Sequence, residues 1–170
     1  PGGRGPVYWK YKSREGGSAV LDVARIESWR ENGHLEAKLA TGGLPESIWE
    51  TYSAFANGEG GLILLGVEEL GDHSLRVQGL LNAQEMLEDF LARLRDPKVA
   101  SADLVGPGGA EVVDTGAGEV IAIRVPPAPA ELRPVYVGGD RQKGCYRRVG
   151  EADLRCTPEE AAALAEAERE

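Results

Sequence analysis

One segment of the chain, residues 140–150, combines positive charge with an aromatic ring. It has four basic side chains against one acidic side chain, although the whole chain has a formal net charge of −9. Basic side chains bind backbone phosphates, and a tyrosine ring stacks on bases. On a strand, Tyr146 and Arg148 would share one side and Arg147 would lie on the other. The candidate nucleic-acid contacts here are Arg141, Lys143, Tyr146, Arg147 and Arg148. The alternative interpretation is an edge strand whose charges prevent aggregation.

Histidine and cysteine are too sparse to define a catalytic or metal site alone, since the chain has two of each. His34 lies close to Glu36 and could act as a metal ligand or acid–base partner, but a lone surface histidine is the simpler interpretation. Cys145 and Cys156 have no histidine pair near them in sequence, which argues against zinc. We expect both to be reduced thiols, because two cysteines are too few for a disulfide framework.

Composition is typical of a globular protein with one core. The 170 residues suit a single domain, and 42% of them are hydrophobic and 28% charged. No apolar run approaches the roughly 20 residues of a membrane-spanning helix, and the first residues lack the apolar core of a signal peptide. We therefore expect a cytoplasmic protein without a membrane partner.

The two ends of the chain are polar, and the first 18 residues are rich in glycine and charge. We expect residues 1–18 to form a flexible arm. Its basic and aromatic side chains could contact nucleic acid, and they could equally be disordered or pair with a second subunit. Residues 19–170 would form the domain, and the polar ends suggest a fragment of a longer protein.

Strands are predicted by two kinds of hydrophobic pattern. Residues 35–39 alternate apolar and charged side chains, as in a half-buried strand. Residues 62–67 are apolar on both faces, as in a central buried strand. Residues 112–125 predict a hairpin, and residues 135–149 a further strand pair.

Helices are predicted where apolar residues recur at helical spacing behind a capping residue. One would begin at Pro45, in the first helical position, and another after the N-cap Asn82. A capping box at residues 157–160 predicts the last helix, and a short helix is predicted over residues 19–29. The predicted fold class is α+β, with helices packed on a mixed, mostly antiparallel sheet.

The glycine-rich stretch after residue 56 is best explained by architecture. Asn57 and Gly58 would end a helix, and Gly60 and Gly61 would turn the chain into the central strand. A phosphate-binding loop is disfavoured, because these glycines follow a helix and no GxxxxGK(S/T) motif occurs.

Several short motifs occur in an order that resembles the Schlafen AlbA_2 domain family, formerly called a divergent AAA domain. The resemblance covers roughly residues 27–163, and Ala37 stands where the family usually has phenylalanine. The matching pieces are Glu31, Leu35-Glu36-Ala37-Lys38, Ala54-Phe55-Ala56-Asn57, Gly60-Gly61, Gly66-Val67-Glu68-Glu69, Val77-Gln78-Gly79-Leu80, Pro134-Val135-Tyr136, Tyr146-Arg147-Arg148-Val149-Gly150 and Thr157-Pro158-Glu159-Glu160.

The resemblance implies a second candidate site, because some Schlafen relatives cleave RNA with three carboxylates. It matches the catalytic acids to Glu31, Glu36 and Glu69, with Glu68 as a further possible metal ligand. Converging carboxylates would hold Mg²⁺ or Mn²⁺ against a phosphodiester. The alternative interpretation is that Glu36 and Lys38 are solvent-side residues of a strand.

Three functional hypotheses follow. The first is a nucleic-acid-binding domain of a transcriptional-regulator-like protein, without a cofactor, since bacterial family members are mostly regarded as regulators that bind DNA. It would contact phosphates through the basic residues of 140–150 and through Lys38. The second is the metal-dependent ribonuclease, and whether the protein is an enzyme stays open. The third is a protein-interaction or dimerisation domain, for which a homodimer is one possible partner arrangement.

Overall fold

The structure is a computed structural model that describes Ile26 and residues 33–166. The predicted arm at 1–18, nearly all of the predicted helix at 19–29 and the candidate ligand Glu31 lie outside the described residues. Within the described part, no helix has both the length and the apolar character needed to cross a membrane.

Eight strands and three α-helices form in the described residues. The helices are α1 (Ile48–Ala56), α2 (Ala83–Leu94) and α3 (Pro158–Glu166). The strands are β1 (Leu35–Lys38), β2 (Gly61–Leu65), β3 (Val67–Glu69), β4 (Leu75–Val77), β5 (Ala110–Asp114), β6 (Glu119–Val125), β7 (Tyr146–Val149) and β8 (Ala152–Arg155).

The main sheet has four strands in the order β1-β2-β6-β5. β1 runs parallel to β2, with Leu35 opposite Leu62, whereas the β2–β6 and β6–β5 pairs are antiparallel. Two antiparallel hairpins, β3–β4 and β7–β8, form separate two-stranded sheets. The predicted α+β class with a mixed, mostly antiparallel sheet is confirmed.

The central strand β2 is buried on both faces, as its sequence predicts. Ile63 and Leu65 belong to the core cluster that contains α1 and α2. Leu62 and Leu64 point the other way into a second cluster, because successive side chains of a strand alternate between faces. In the first cluster Trp49 of α1 stacks on Phe90 of α2, with ring centroids 5.3 Å apart.

Gly60 and Gly61 make the turn from α1 into β2 possible. Gly60 has φ +82°, and a Cβ there would lie 2.7 Å from the carbonyl oxygen of Val125. A Cβ on Gly61 would lie 2.6 Å from the ring of Phe55. Both positions exclude larger residues on steric grounds, so these glycines have an architectural role.

The structure corrects two predictions, one about the first residue of a helix and one about the pairing of a strand. Helix α1 begins at Ile48 instead of Pro45, whose carbonyl accepts a turn hydrogen bond from the Ile48 amide. The predicted pairing of residues 135–137 with 145–149 is reduced to a single bridge between Tyr136 and Cys145, because β7 pairs with β8 instead. The capping box is confirmed: the Thr157 amide donates to Glu160 and the Glu160 amide to the Thr157 hydroxyl.

Candidate functional site

The β7–β8 hairpin carries Arg147 and Arg148, two of the basic residues predicted to bind nucleic acid. Buried polar side chains of α1 and of its C-cap residue Asn57 hold the hairpin in place. The amide nitrogen of Asn57 donates to the carbonyl of Tyr146 at 2.9 Å. The amide of Tyr146 in turn donates to the hydroxyl of Ser53 at 3.0 Å. Ser53 is fully buried and Asn57 almost so. The hairpin therefore has a fixed position against α1, because buried polar groups are costly to leave unpaired.

Arg148 is the buried centre of an ion-pair cluster under this hairpin, and its side chain is only 7% exposed. Its guanidinium donates to Asp153 at 2.7 Å and to Glu36 at 2.9 Å. Thr51 donates to the other oxygen of Asp153 at 2.6 Å. The guanidinium also lies 4.9 Å from the ring centre of Phe55. Arg148 thus links β7 to β1, β8 and α1.

The cluster extends to Lys38, whose ammonium lies 3.5 Å from Glu36 and donates to Ser47 at 3.1 Å. The side chain of Lys38 is 12% exposed. Burial disfavours the charged form of Arg148, but the hydrogen bond to Asp153 and the nearby carboxylates outweigh it, so its pKa is raised. Lys38 and Arg148 are therefore both paired with protein groups, and the burial and pairing of the Arg148 guanidinium disfavour its contact with a phosphate.

The other cations of residues 140–150 lie at the surface. Arg147 forms an exposed ion pair with Glu160 of α3 at 3.0 Å, and its side chain is 42% exposed. Arg141 and Lys143 are exposed on the loop before β7. Arg155 of β8, which the sequence analysis did not single out, places its guanidinium 6.0 Å from the ring centre of Tyr146. We call Arg141, Lys143, Tyr146, Arg147 and Arg155 the hairpin surface.

Glu68 and Glu69, the predicted acids after β2, pair with different residues. Glu68 accepts hydrogen bonds from Arg76 at 2.8 Å and Gln78 at 3.0 Å. Glu69 lies 2.7 Å from His73, and His73 lies 3.4 Å from Glu151 in the β7–β8 turn. The hydrogen bond to Glu69 and the charge of Glu151 raise the pKa of His73.

The three-carboxylate site can be tested against this arrangement only for the acids that the structure describes. Glu36 has Arg148 and Lys38 as its charged partners, and two cations beside a carboxylate oppose a third. Among the described residues, the group whose ligand atoms lie within 4.8 Å of one another is Glu69, His73 and Glu151, without Glu36. In the described residues, Glu36 and Glu69 therefore have different charged partners, and Glu31, the third predicted acid, lies outside those residues.

The sequence analysis missed Asp153 and Thr51 as partners of Arg148. A signal for Asp153 was present, because Arg148 and Asp153 are directly opposite in the β7–β8 register and opposite charges favour such pairing. This pairing can be read from the sequence only if residues 152–155 are recognised as a strand. Their exposed and charged side chains give a weak strand pattern.

A comparison with protein-family profiles matches residues 31–157 to the family described as Schlafen, AlbA_2. The chain belongs to the Schlafen AlbA_2 family. The matched residues include β1 to β8 and therefore both the Arg148 cluster and the hairpin surface.

Two solved structures are similar to this chain. One is the N-terminal domain of a RecG-related protein from Nitrosomonas europaea, described as a candidate ATP-dependent DNA helicase. It is 26% identical, with a TM-score of 0.57, and the match covers 80% of this chain and 91% of that one. The other is the DIP2311 protein from Corynebacterium diphtheriae, 20% identical with a TM-score of 0.52. There the match covers 84% of this chain but 30% of that one, so it supports the fold alone. A search of the curated proteins found no match.

Proposed function

We propose that this AlbA_2 domain is a nucleic-acid-binding module that contacts backbone phosphates through the hairpin surface. The observation that carries the proposal is the different use of two neighbouring arginines. Arg148 is 7% exposed and neutralised by two carboxylates, whereas Arg147 is 42% exposed. Arg148 thus fixes the hairpin, and Arg147, on the opposite face of β7, is presented to solvent.

The partners of the hairpin surface are compatible with phosphate binding. Arg147 is paired with Glu160 at the surface, and an exposed ion pair contributes at most about 1 kcal/mol. A phosphate group can therefore replace Glu160 at little cost. Tyr146 and Arg155 already form a cation–π pair, and an arginine and an aromatic ring side by side suit stacking on unpaired bases.

The finer proposal is that the bound nucleic acid is DNA and that the domain serves a transcriptional regulator. Two considerations support it: the resemblance to bacterial regulators, and the 26% identical domain from a RecG-related protein described as a candidate DNA helicase. The overall net charge of −9 means that binding depends on the local basic surface, since the chain as a whole repels polyanions.

The test is a fluorescence anisotropy titration of labelled duplex DNA and labelled tRNA over a range of salt concentrations. The variant Arg141→Gln/Lys143→Gln/Arg147→Gln removes three cations of the hairpin surface. The control variant Arg76→Gln/Arg93→Gln/Arg95→Gln removes the same charge elsewhere. We expect the hairpin variant to bind at least about tenfold more weakly, with a salt slope reduced by about 0.9 for each lost duplex contact, and the control to bind like the wild type.

The other outcomes would contradict the proposal or favour a different function. Equal weakening in both variants would show non-specific charge attraction, and no binding by the wild type at low salt would refute the proposal. Cleavage of the probe that needs Mn²⁺ and stops in EDTA would favour the metal-dependent ribonuclease. A concentration-dependent molecular size without nucleic-acid binding would favour the interaction domain.

A further inference from the structure

The two cysteines of the chain face each other where the β7–β8 hairpin begins. Tyr146 is opposite Arg155 in the β7–β8 register, and extending that register by one position would place Cys145 opposite Cys156. The Cys156 amide donates to the Cys145 carbonyl at 2.8 Å. Their Sγ atoms are 2.8 Å apart, and both residues are free thiols.

Both thiols are enclosed by three different segments. Cys145 is fully buried and Cys156 is 4% exposed, in a small cluster with Ala161 of α3. Tyr136 packs against the same cluster. Cys156 directly precedes Thr157, the capping residue of α3. The pair therefore lies where the hairpin, the last helix and the chain before the hairpin meet.

The backbone geometry already suits a covalent bond between these residues. Directly opposite residues of antiparallel strands have Cα atoms about 4.5–5.5 Å apart, inside the range of about 4.4–6.8 Å seen in disulfides. Closing the bond thus needs rotation of the two side chains and no rearrangement of the strands. Cysteines that are only near each other in sequence need not have this backbone spacing.

We propose that Cys145 and Cys156 form a modification site, at which a low-molecular-weight disulfide such as glutathione disulfide converts the two thiols into an intramolecular disulfide. The inference does not depend on nucleic-acid binding. It adds an oxidised state to the reduced thiols expected from the sequence.

The reaction balances in two exchange steps. The thiolate of Cys156, the more exposed of the two, attacks glutathione disulfide, forms a mixed disulfide and releases one glutathione thiolate. The thiolate of Cys145 then attacks the Cys156 sulfur and releases the second glutathione. The protein loses two protons and two electrons, and glutathione disulfide becomes two glutathione thiols.

Burial makes this reaction slow in the folded state. It raises the pKa of both thiols, and the protonated thiol is not the nucleophile. The hairpin base must therefore open before the first step. Once formed, the bond would fix the hairpin surface to the start of α3 and disfavour further opening.

The experiment incubates the whole chain in glutathione buffers of increasing oxidised fraction, both in native buffer and in urea near the unfolding midpoint followed by refolding. The urea arm gives the oxidant access to the thiols. Samples are quenched in acid, the remaining thiols are labelled under denaturing conditions, and intact mass is recorded. Cys145→Ala and Cys156→Ala are the controls.

We expect the wild type to lose both labelled thiols together, with a mass lower by two hydrogens and no glutathione adduct. Each single variant should instead keep one thiol or carry one glutathione. The oxidised wild type should unfold at a higher urea concentration than the reduced form. Two free thiols at every buffer ratio in both arms, stable glutathione adducts on the wild type, or a covalent dimer in place of the monomeric disulfide would each overturn the proposal.

Discussion

The side-chain amide of Asn57 pairs with the backbone of Val135 in both directions. The Val135 amide donates to the Asn57 side-chain oxygen at 2.7 Å, and the Asn57 nitrogen donates to the Val135 carbonyl at 2.9 Å. One side chain thus satisfies both polar groups of a buried residue, as a neighbouring strand would. Because the same nitrogen also reaches Tyr146, Asn57 joins the helix end to two distant segments.

Replacing Asn57 with alanine is expected to destabilise the fold strongly. The change leaves the Val135 amide without its partner and removes the side-chain donor to the Tyr146 carbonyl, while Ser53 still donates to the Val135 carbonyl. The free energy of unfolding should therefore fall by about 3 kcal/mol. Asn82→Ala is the matched control, because Asn82 is exposed and its side chain makes no capping hydrogen bond. Urea unfolding followed by circular dichroism measures both, and equal midpoints for the two variants would contradict the assigned role.

The buried position of Arg148 predicts a large difference between two adjacent arginines. Arg148→Met leaves Glu36 and Asp153 without their shared cation and should cost about 3–5 kcal/mol of unfolding free energy. Arg147→Met removes only an exposed ion pair and should cost less than about 1 kcal/mol. A similar loss of stability in both variants, measured by urea unfolding, would refute the structural role of Arg148.

A combined variant separates the loss of the cation from the exposure of its partners. Glu36→Gln/Arg148→Met/Asp153→Asn removes all three charges, so it should recover part of the stability lost in Arg148→Met. If the triple variant is less stable than Arg148→Met, the carboxylates stabilise the fold through contacts other than Arg148.

The close approach of Gly61 to Phe55 predicts that even a methyl group is harmful there. Gly61→Ala places its Cβ 2.6 Å from the Phe55 ring and should destabilise the protein by about 1–3 kcal/mol through overpacking. Gly71→Ala is the control, since a Cβ at Gly71 meets no atom within 4 Å. Thermal unfolding would compare them, and a Gly61→Ala melting temperature equal to that of the control would exclude tight packing at this turn.

The surroundings of His73 predict a contribution to stability that depends on pH. Because Glu69 and Glu151 raise the folded-state pKa of His73, the contribution is complete below its unfolded value of about 6.5 and is lost as pH rises through the folded pKa. Relative to His73→Gln, the wild type should therefore be stabilised more at about pH 5.5 than at about pH 8.5.

The same pKa can be read directly from an NMR titration of the His73 ring. Glu69→Gln should move the pKa of His73 back toward its ordinary value, because it removes the hydrogen-bonded carboxylate. Glu68→Gln, which changes the adjacent residue that pairs with Arg76, should leave it nearly unchanged. Equal shifts in the two variants would show that proximity of charge alone, without the hydrogen bond, is responsible.

The main sheet and the helices could be predicted because their signals are local. β2 is apolar on both faces, and the capping box before α3 reads directly from four residues. β8 was missed because its residues are mostly exposed, so no apolar pattern indicates a strand. The start of α1 was placed three residues early, since Pro45 fits both a first helical turn and the turn that precedes one.

The candidate site was harder to predict, since burial of a charge depends on long-range contacts. The alternation of side chains along β7 correctly predicts that Arg147 and Arg148 lie on opposite faces of the strand. It does not predict which face lies against the protein. That side is determined by Glu36 and Asp153, of which Glu36 is 112 residues away in sequence from Arg148. Direct contact with nucleic acid by the hairpin surface stays a prediction.

The β7–β8 hairpin shares no ladder with the four-stranded sheet in the described part of the chain, so side chains of α1 and the Arg148 cluster provide its attachment. Loss of these contacts would therefore release the hairpin while β2 and β6 keep the backbone hydrogen bonds between them. In a hydrogen-exchange experiment, the amides of β7 and β8 would exchange together, by a subglobal event of lower free energy than the one that exposes β2. The position of the hairpin surface thus depends on a few buried side chains, separately from the backbone pairing of the main sheet.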